Sequence, residues 1–191
     1  FGSDNIIFEH GVAYEEHKEW TAEDASGIEK AVAQAKDVDY IIACVGENSY
    51  AETTGNISDL NLSSNQKLLV KRLQETGKPV ILILNEGRPR LIHDLVDGCK
   101  AIVNIMLPGN YGGDALADLL SGDENFSGRL PFTYPSHPNS FTTYDFKVCE
   151  ARETMPGTYN YEAHTNTQWW FGEGMSYTTF EYSNLEINKS S

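Results

Sequence analysis

The chain has 191 residues, 40% of them hydrophobic, which is enough for one domain with a sizeable core and too apolar for a disordered segment. Its formal net charge of -14 at pH 7 argues against nucleic acid and anionic membrane surfaces as partners, and is compatible with a neutral substrate such as a sugar. No apolar run is long enough to span a membrane as a helix, and there is no signal peptide pattern; the chain starts at Phe1 without a methionine, as a fragment of a longer protein would.

Taken in order, Asn5-Ile-Ile-Phe8 reads as a strand broken by Gly11, and Glu9 to Asp24 as an acidic, solvated loop. Thr21 and Asp24 mark a helix start, and Ala25, Ile28, Val32 and Ala35 recur at helical spacing, so Ala22 to Lys36 is expected to be an amphipathic helix. Tyr40-Ile-Ile-Ala-Cys-Val45 is a short apolar run with the character of a buried strand, in which Cys44 is expected to be a small core residue. Ser63 and Gln66 have the spacing of a capping box, ahead of a helix that buries Leu68, Leu69 and Leu73 and ends near Gly77. Pro79 to Leu84 is nearly continuous in apolar residues, as a parallel strand covered on both faces should be. A short helix from Arg90 to Asp97, a strand from Ala101 to Leu107 and a helix from Gly113 to Ser121 complete the regular part.

This alternation predicts a doubly wound α/β fold: a mostly parallel sheet with helices on both faces, flavodoxin-like in outline. From Gly122 onward the pattern turns irregular, rich in Pro, Tyr, Thr and Asn, and ends in Trp169-Trp-Phe-Gly-Glu-Gly-Met-Ser-Tyr177 and the apolar run Phe180 to Ile187, which reads as a strand opening a further domain. No internal repeat is present.

The chain is organised around Val38 to Leu62. There the strand ending at Val45 gives way to a polar loop carrying Glu47, Tyr50, Glu52, Gly55 and Asp59. In open α/β sheets, ligands bind beyond the carboxyl ends of the strands, which is where this loop falls. Glu47 and Glu52 are paired carboxylates that fit general acid/base chemistry or plain solvated charge. Asp59 and Asn61 suit either sugar hydroxyls or a turn before the next helix. Trp169, Trp170 and Phe171 could stack on a pyranose face or seal a core.

Other chemistries find little support. The histidines at 10, 17, 93, 137 and 164 lack metal-ligand spacing, so no metal is expected, and Cys44, Cys99 and Cys149 do not form a disulfide framework. There is no nucleophile elbow, no phosphate loop and no dinucleotide fingerprint, so no cofactor is expected.

Several segments together resemble the C-terminal α/β-sandwich domain of glycoside hydrolase family 3, the β-glucosidases and β-xylosidases. They are Val45-Gly-Glu-Asn-Ser-Tyr-Ala-Glu-Thr-Thr-Gly55, Asp59-Leu-Asn-Leu with Gln66, Gly87-Arg-Pro89, Leu107-Pro-Gly-Asn-Tyr-Gly-Gly113, Gly122-Asp-Glu-Asn-Phe-Ser-Gly-Arg-Leu-Pro131 and Phe171-Gly-Glu-Gly-Met-Ser-Tyr177 with the residues up to Ser183. They differ from the family's usual wording at Phe126, Met175 and Asn56.

The resemblance implies one such domain over residues 1–183, with 184–191 a linker or the start of a β domain. It implies a retaining hydrolysis that uses an aspartate nucleophile and a second carboxylate as acid/base. The nucleophile is expected on a preceding (β/α)₈ barrel of the same parent protein. Glu52 is then the acid/base and Glu47 its support or alternative. Tyr50, Asp59 and Trp169 are the substrate-binding expectations. The substrate is a β-linked oligosaccharide or aryl glycoside, no cofactor is needed, and the parent is expected to be periplasmic or secreted. The competing readings are a non-catalytic carbohydrate-binding or scaffold domain of the same fold and, behind it, an unrelated flavodoxin-like module.

Overall fold

The computed structural model describes residues 1–140, 143–145 and 166–187. In chain order a 3₁₀ turn, Ser3–Asn5, is followed by β1 (Ala13–Tyr14), β2 (Glu23–Asp24), α1 (Ile28–Ala35) and β3 (Ile41–Gly46). A second 3₁₀ turn, Glu52–Gly55, leads to α2 (Ser64–Gln74), β4 (Val80–Asn85), α3 (His93–Val96), β5 (Ala101–Asn104) and α4 (Gly112–Ser121). β6 (Tyr134–Pro135) and β7 (Thr167–Trp169) come last.

The central sheet has the order β3-β4-β5 and is parallel throughout, with Ile41 opposite Val80 and Ile83 opposite Val103. The α/β sandwich expected from the alternation is therefore the observed architecture. Right-handed crossovers between consecutive neighbours place α2 and α3 on one face. On that face Ile41, Ala43 and Val45 of β3 and Val80, Leu82 and Leu84 of β4 form one core with Ile28 and Val32 of α1, Leu69, Val70 and Leu73 of α2, and Leu95 of α3. Side chains alternate across a strand, so Ile42 and Cys44 point the other way, and both are exposed. Cys44 is thus not the core residue expected: it sits on the edge strand, on the face away from α2. Cys44 and Cys99 are free thiols, and Cys149 lies outside the described residues.

Several element boundaries differ from expectation for local reasons. Asn5 to Phe8 is not a strand; the 3₁₀ turn consumes its start, and Ile6, Ile7 and Phe8 are exposed with no partner strand among the described residues. The acidic loop contains the antiparallel pair β1 and β2. α1 starts at Ile28 rather than Ala22, because Glu23 and Asp24 are paired with β1 and Asp24 Oδ1 accepts the Ser26 N–H at 2.8 Å, a turn that competes with helix. α3 is a single turn, and β5 stops at Asn104, whose side chain accepts the Met106 N–H at 2.9 Å and turns the chain away. The Phe180 to Ile187 run carries no strand; Tyr182, Leu185 and Ile187 stand in solvent.

The late, irregular segment is held by its own motifs. Leu130 N–H donates to Glu173 O and Gly172 N–H to Leu130 O, at 2.9 and 2.8 Å. Arg129 donates to Ser176 Oγ, and Ser176 donates to Phe126 O at 2.6 Å. Tyr177 N–H donates to Asn125 Oδ1. The Gly-Arg-Leu-Pro and Gly-Met-Ser-Tyr segments are thus two halves of one clasp.

This packing makes a direct prediction. Leu82 is fully buried in the central strand, so Leu82→Ala is expected to cost about 2–5 kcal/mol in urea unfolding, whereas Ile42→Ala, at an exposed position of the edge strand, is expected to cost under about 1 kcal/mol. Equal costs would contradict the assignment of Leu82 to the core and of Ile42 to the surface.

Candidate functional site

Four of the site's carboxylate and guanidinium groups stand just beyond the carboxyl ends of β3 and β4. β3 ends at Gly46 with φ of 151°, and a Cβ there would run into the Asn85 carbonyl oxygen, so only glycine lets β3 and β4 stay paired to their tips. As β3 is an edge strand, one side of Gly46 has no strand neighbour among the described residues. Gln66 supplies it: its Oε1 accepts the Gly46 N–H at 2.7 Å and its Nε2 donates to Gly46 O at 3.0 Å. Tyr14 OH also donates to Gly46 O, at 2.8 Å, and Glu23 accepts from both Gln66 Nε2 and Ser63 Oγ. The expected capping box is therefore half formed. Ser63 Oγ caps the Gln66 N–H at 3.2 Å, but the Gln66 side chain is spent on the strand end.

The next residue, Glu47, has no exposed side-chain surface. Its Oε2 accepts the Gly87 N–H at 2.9 Å and lies 3.3 Å from Tyr50 Oη; its Oε1 accepts from Arg88 Nε at 2.8 Å and lies 3.0 Å from Arg90 Nε. Both arginines continue to loop carbonyls. Arg88 Nη1 donates to Gly55 O at 2.6 Å and Arg90 Nη1 to Asp59 O at 2.9 Å. The loop that leaves β3 is thereby fastened at two points to the segment that leaves β4.

Tyr50 fills the space inside this frame. The Arg88 guanidinium carbon lies 4.7 Å from its ring centroid, and Trp20 meets it edge-on at 5.6 Å. A Cβ at Gly55 or at Gly87 would come within 2.5 Å of Tyr50. Those two glycines are what the tyrosine needs on either side. Trp20 donates its indole N–H to Ser49 O at 2.8 Å and accepts at its carbonyl from Asn48, so the segment before β2 clasps the same loop.

Glu52 contrasts with its surroundings. It opens the Glu52–Gly55 turn, is exposed, and has φ of 52°, left-handed backbone that a non-glycine residue adopts at a cost of order 1 kcal/mol or more. Among the described residues its side chain has no hydrogen-bond or ion-pair partner. Asp59 forms an Asx turn, its Oδ1 accepting from Asn61 N–H at 2.9 Å and Asn61 Nδ2 at 2.8 Å, and these bonds lower its pKa. It also lines a cleft of about 370 Å³ with Tyr14, Trp20, Asn56, Ser58 and Arg90. The structure thus brings Glu47, Tyr50, Glu52 and Asp59 onto one loop. Trp169 is elsewhere: it meets Tyr134 edge-on at 5.1 Å and packs on the core.

A second buried carboxylate was not singled out from the sequence. Glu86 follows β4 as Glu47 follows β3, and that shared position beyond a strand end was the available signal. It is fully buried. Asn104 Nδ2 donates to it at 3.0 Å and Arg90 N–H at 3.3 Å, and Tyr134 Oη lies 2.9 Å away. Tyr134 Oη is also 2.6 Å from Arg90 O. With one proton, the phenol can donate only once; a protonated Glu86 donating to Tyr134 satisfies both contacts. Burial pushes the Glu86 pKa up to about 7, and the neighbouring Glu47 adds to the rise. Among the described residues no group of three or more His, Cys, Asp or Glu could hold a metal ion, and no helix is long and apolar enough to cross a membrane.

A parallel α/β sandwich with carboxylates and arginines gathered beyond its strand ends defines a domain built to present polar groups along one sheet edge. Residues 3–177 match the family described as "Glycosyl hydrolase family 3 C-terminal domain", and the chain belongs to that family. It is 43% identical over 161 residues to a lysosomal beta glucosidase of Dictyostelium discoideum, covering 84% of this chain and 18% of that protein. To a periplasmic beta-glucosidase of Salmonella typhimurium it is 32% identical over 168 residues, covering 84% of this chain and 22% of the relative. The crystal structure of a beta-glucosidase from Listeria innocua in complex with isofagomine superposes with a TM-score of 0.72 at 28% identity, over 86% of this chain and 24% of that one. The chain spans about a fifth of the length of the curated relatives it matches.

The raised Glu86 pKa sets a stability prediction. A carboxyl whose folded pKa lies above its ordinary 4.5 adds stability that is complete below pH 4.5 and is lost as pH rises through about 7. The loss is bounded at about 3 kcal/mol. Glu86→Gln keeps hydrogen-bonding groups in place without the titration, so the fall in Tm across that window is expected to flatten. An unchanged slope would remove Glu86 as its source.

Proposed function

We propose that this chain supplies the general acid/base residue, Glu52, to a retaining β-glycosidase whose nucleophile belongs to another part of the parent protein. The observation that carries this reading is Glu52 itself: an exposed carboxylate with no hydrogen-bond or ion-pair partner among the described residues, in left-handed backbone, at the carboxyl edge of the sheet, on a loop whose backbone Arg88, Arg90 and Trp20 fasten. Left-handed backbone at a non-glycine residue persists only where its surroundings hold it, and it concentrates at functional sites. The names of the relatives agree with the reaction class, since they include beta-glucosidases and a beta-xylosidase.

In the first step Glu52 protonates the glycosidic oxygen as the nucleophile forms a covalent glycosyl-enzyme. In the second it takes a proton from the attacking water, and the sugar leaves with its configuration retained. Such a pair of carboxyl groups stands roughly 5 Å apart, so the two parts of the parent must close on one another. Glu47 has the supporting role, because its carboxylate is enclosed by Gly87, Arg88, Arg90 and Tyr50. Asp59, with Oδ1 in the turn and Oδ2 without a hydrogen-bond partner among the described residues, is the substrate contact this geometry favours. Tyr50 acts through the loop, and Trp169 through Tyr134. The substrate is a β-linked oligosaccharide or aryl glycoside. The parent is assigned outside the cytosol, as the relatives named lysosomal and periplasmic are.

The test is Glu52→Ala in the full-length parent. Hydrolysis of a natural disaccharide should fall about 10²–10⁴-fold, while an activated dinitrophenyl glycoside still forms glycosyl-enzyme in a burst. Near-normal rates on both would make Glu52 a plain loop charge, and would favour a carbohydrate-binding or scaffold role. The chain by itself, carrying one of the two carboxyl groups, is expected to release no aglycone from aryl glycosides; measurable turnover would contradict the division of the site.

A further inference from the structure

We infer that Arg88 is the positioning residue of the acid/base segment, an inference that rests on the assignment of Glu52. Its guanidinium makes three contacts at once, each with a different atom. Nε donates to the enclosed Glu47 carboxylate at 2.8 Å, Nη1 donates to the Gly55 carbonyl at 2.6 Å, and the guanidinium carbon stands 4.7 Å from the Tyr50 ring centroid. Tyr50 and Gly55 flank the acid/base residue: Glu52 lies between them in sequence, two residues after the first and three before the second. Arg88 therefore grips both ends of the short piece of backbone that presents Glu52.

The grip is rigid because each contact is itself fixed. Glu47 is held by the Gly87 N–H and by Arg90 as well as by Arg88. Tyr50 cannot slide, with Gly55 on one side and Gly87 on the other, each close enough that a Cβ would come within 2.5 Å of it. Trp20 closes a further side. Backbone at φ of 52° would relax to an ordinary conformation if its ends were released, and the Glu52 carboxyl would then leave its place. Arg88 touches neither substrate nor reacting atoms in this account. Its effect is on where the proton donor stands, and a misplacement of about 1 Å can cost about 100-fold in rate.

An arginine is required at this position. Only a planar fork can meet a carboxylate, a carbonyl and an aromatic face together; the lysine ammonium is a single point of charge. Arg88→Lys keeps the charge beside Glu47 and loses the fork. In the full-length parent it should lower kcat on a natural disaccharide roughly 10–100-fold. On a dinitrophenyl glycoside, formation of the glycosyl-enzyme needs no proton, and its rate should change by less than about 3-fold.

Gly55→Ala serves as the second variant, because it removes no charged group and instead pushes a Cβ against the Tyr50 ring. It should give the same split between substrates. Thermal unfolding of each variant and Glu52→Ala run in parallel complete the set. A leaving-group-dependent loss in a variant that still unfolds cooperatively supports the positioning role. If Glu52→Ala splits the two substrates while neither Arg88→Lys nor Gly55→Ala does, the positioning inference is overturned and the assignment of Glu52 stands. If Glu52→Ala fails to split them, that assignment falls and this inference with it.

Discussion

A carboxylate shut away from water between two guanidinium groups is the constraint on which the site depends. Glu47 has no exposed side-chain surface, and it is bound by Arg88, by the Gly87 N–H and by the proximity of Arg90. Buried ion pairs of this kind add little net stability, since desolvation offsets most of the attraction, but removing one partner strands a buried charge at about 3–5 kcal/mol. What the pair fixes is geometry. Both arginines sit on the segment after β4 and reach carbonyls of the loop after β3, so the two strand ends cannot drift apart without breaking the pair.

The same logic extends outward through polar contacts. The Gln66 side chain pairs with Gly46 as a neighbouring strand would, which finishes an edge strand with a single residue. Tyr14, Glu23 and Ser63 complete that cluster and tie β1, β2 and the start of α2 to the strand end. On the other side of β4, Glu86 links Asn104, Arg90 and Tyr134, and Tyr134 carries the late segment through Trp169. Two carboxylates, one after each of two adjacent parallel strands, thus join the early, middle and late parts of the chain. Glu52 is the acidic side chain of this loop that the network leaves open.

Much of the fold was legible in the sequence, for a specific reason. The apolar runs at Tyr40 to Val45 and Pro79 to Leu84 are bounded by turn residues, and the helices between them have one apolar face, so periodicity alone placed the parallel sheet. The N-terminal boundaries were less legible. Asn5-Ile-Ile-Phe8 looks like a strand in isolation, but a strand forms only where another accepts its hydrogen bonds, and pattern reading does not see partners. Cys44 sits in an apolar run, yet it is exposed on the edge strand where Ile83, paired beside it on β4, is buried, a difference that depends on sheet order.

The site divides along the same line. Glu47, Tyr50, Glu52 and Asp59 were visible as polar residues beyond a strand end, whereas Trp169 was open between stacking on a sugar and sealing a core, and it packs against Tyr134. Arg88 was visible only as part of a Gly-Arg-Pro turn, and its bond to Glu47 spans 41 positions in sequence. Glu86, Asn104 and Tyr134 are joined by tertiary contacts alone. Gln66 showed its cap spacing but not the strand end that claims its amide. The account's central claim is that Glu52 handles the proton in both chemical steps. The most direct measurement is azide rescue of the full-length Glu52→Ala protein on a dinitrophenyl glycoside, with the product's stereochemistry read by NMR. Azide needs no general base, so the account predicts a restored turnover rate and a β-glycosyl azide. Turnover indifferent to azide, with only free sugar formed, would contradict it.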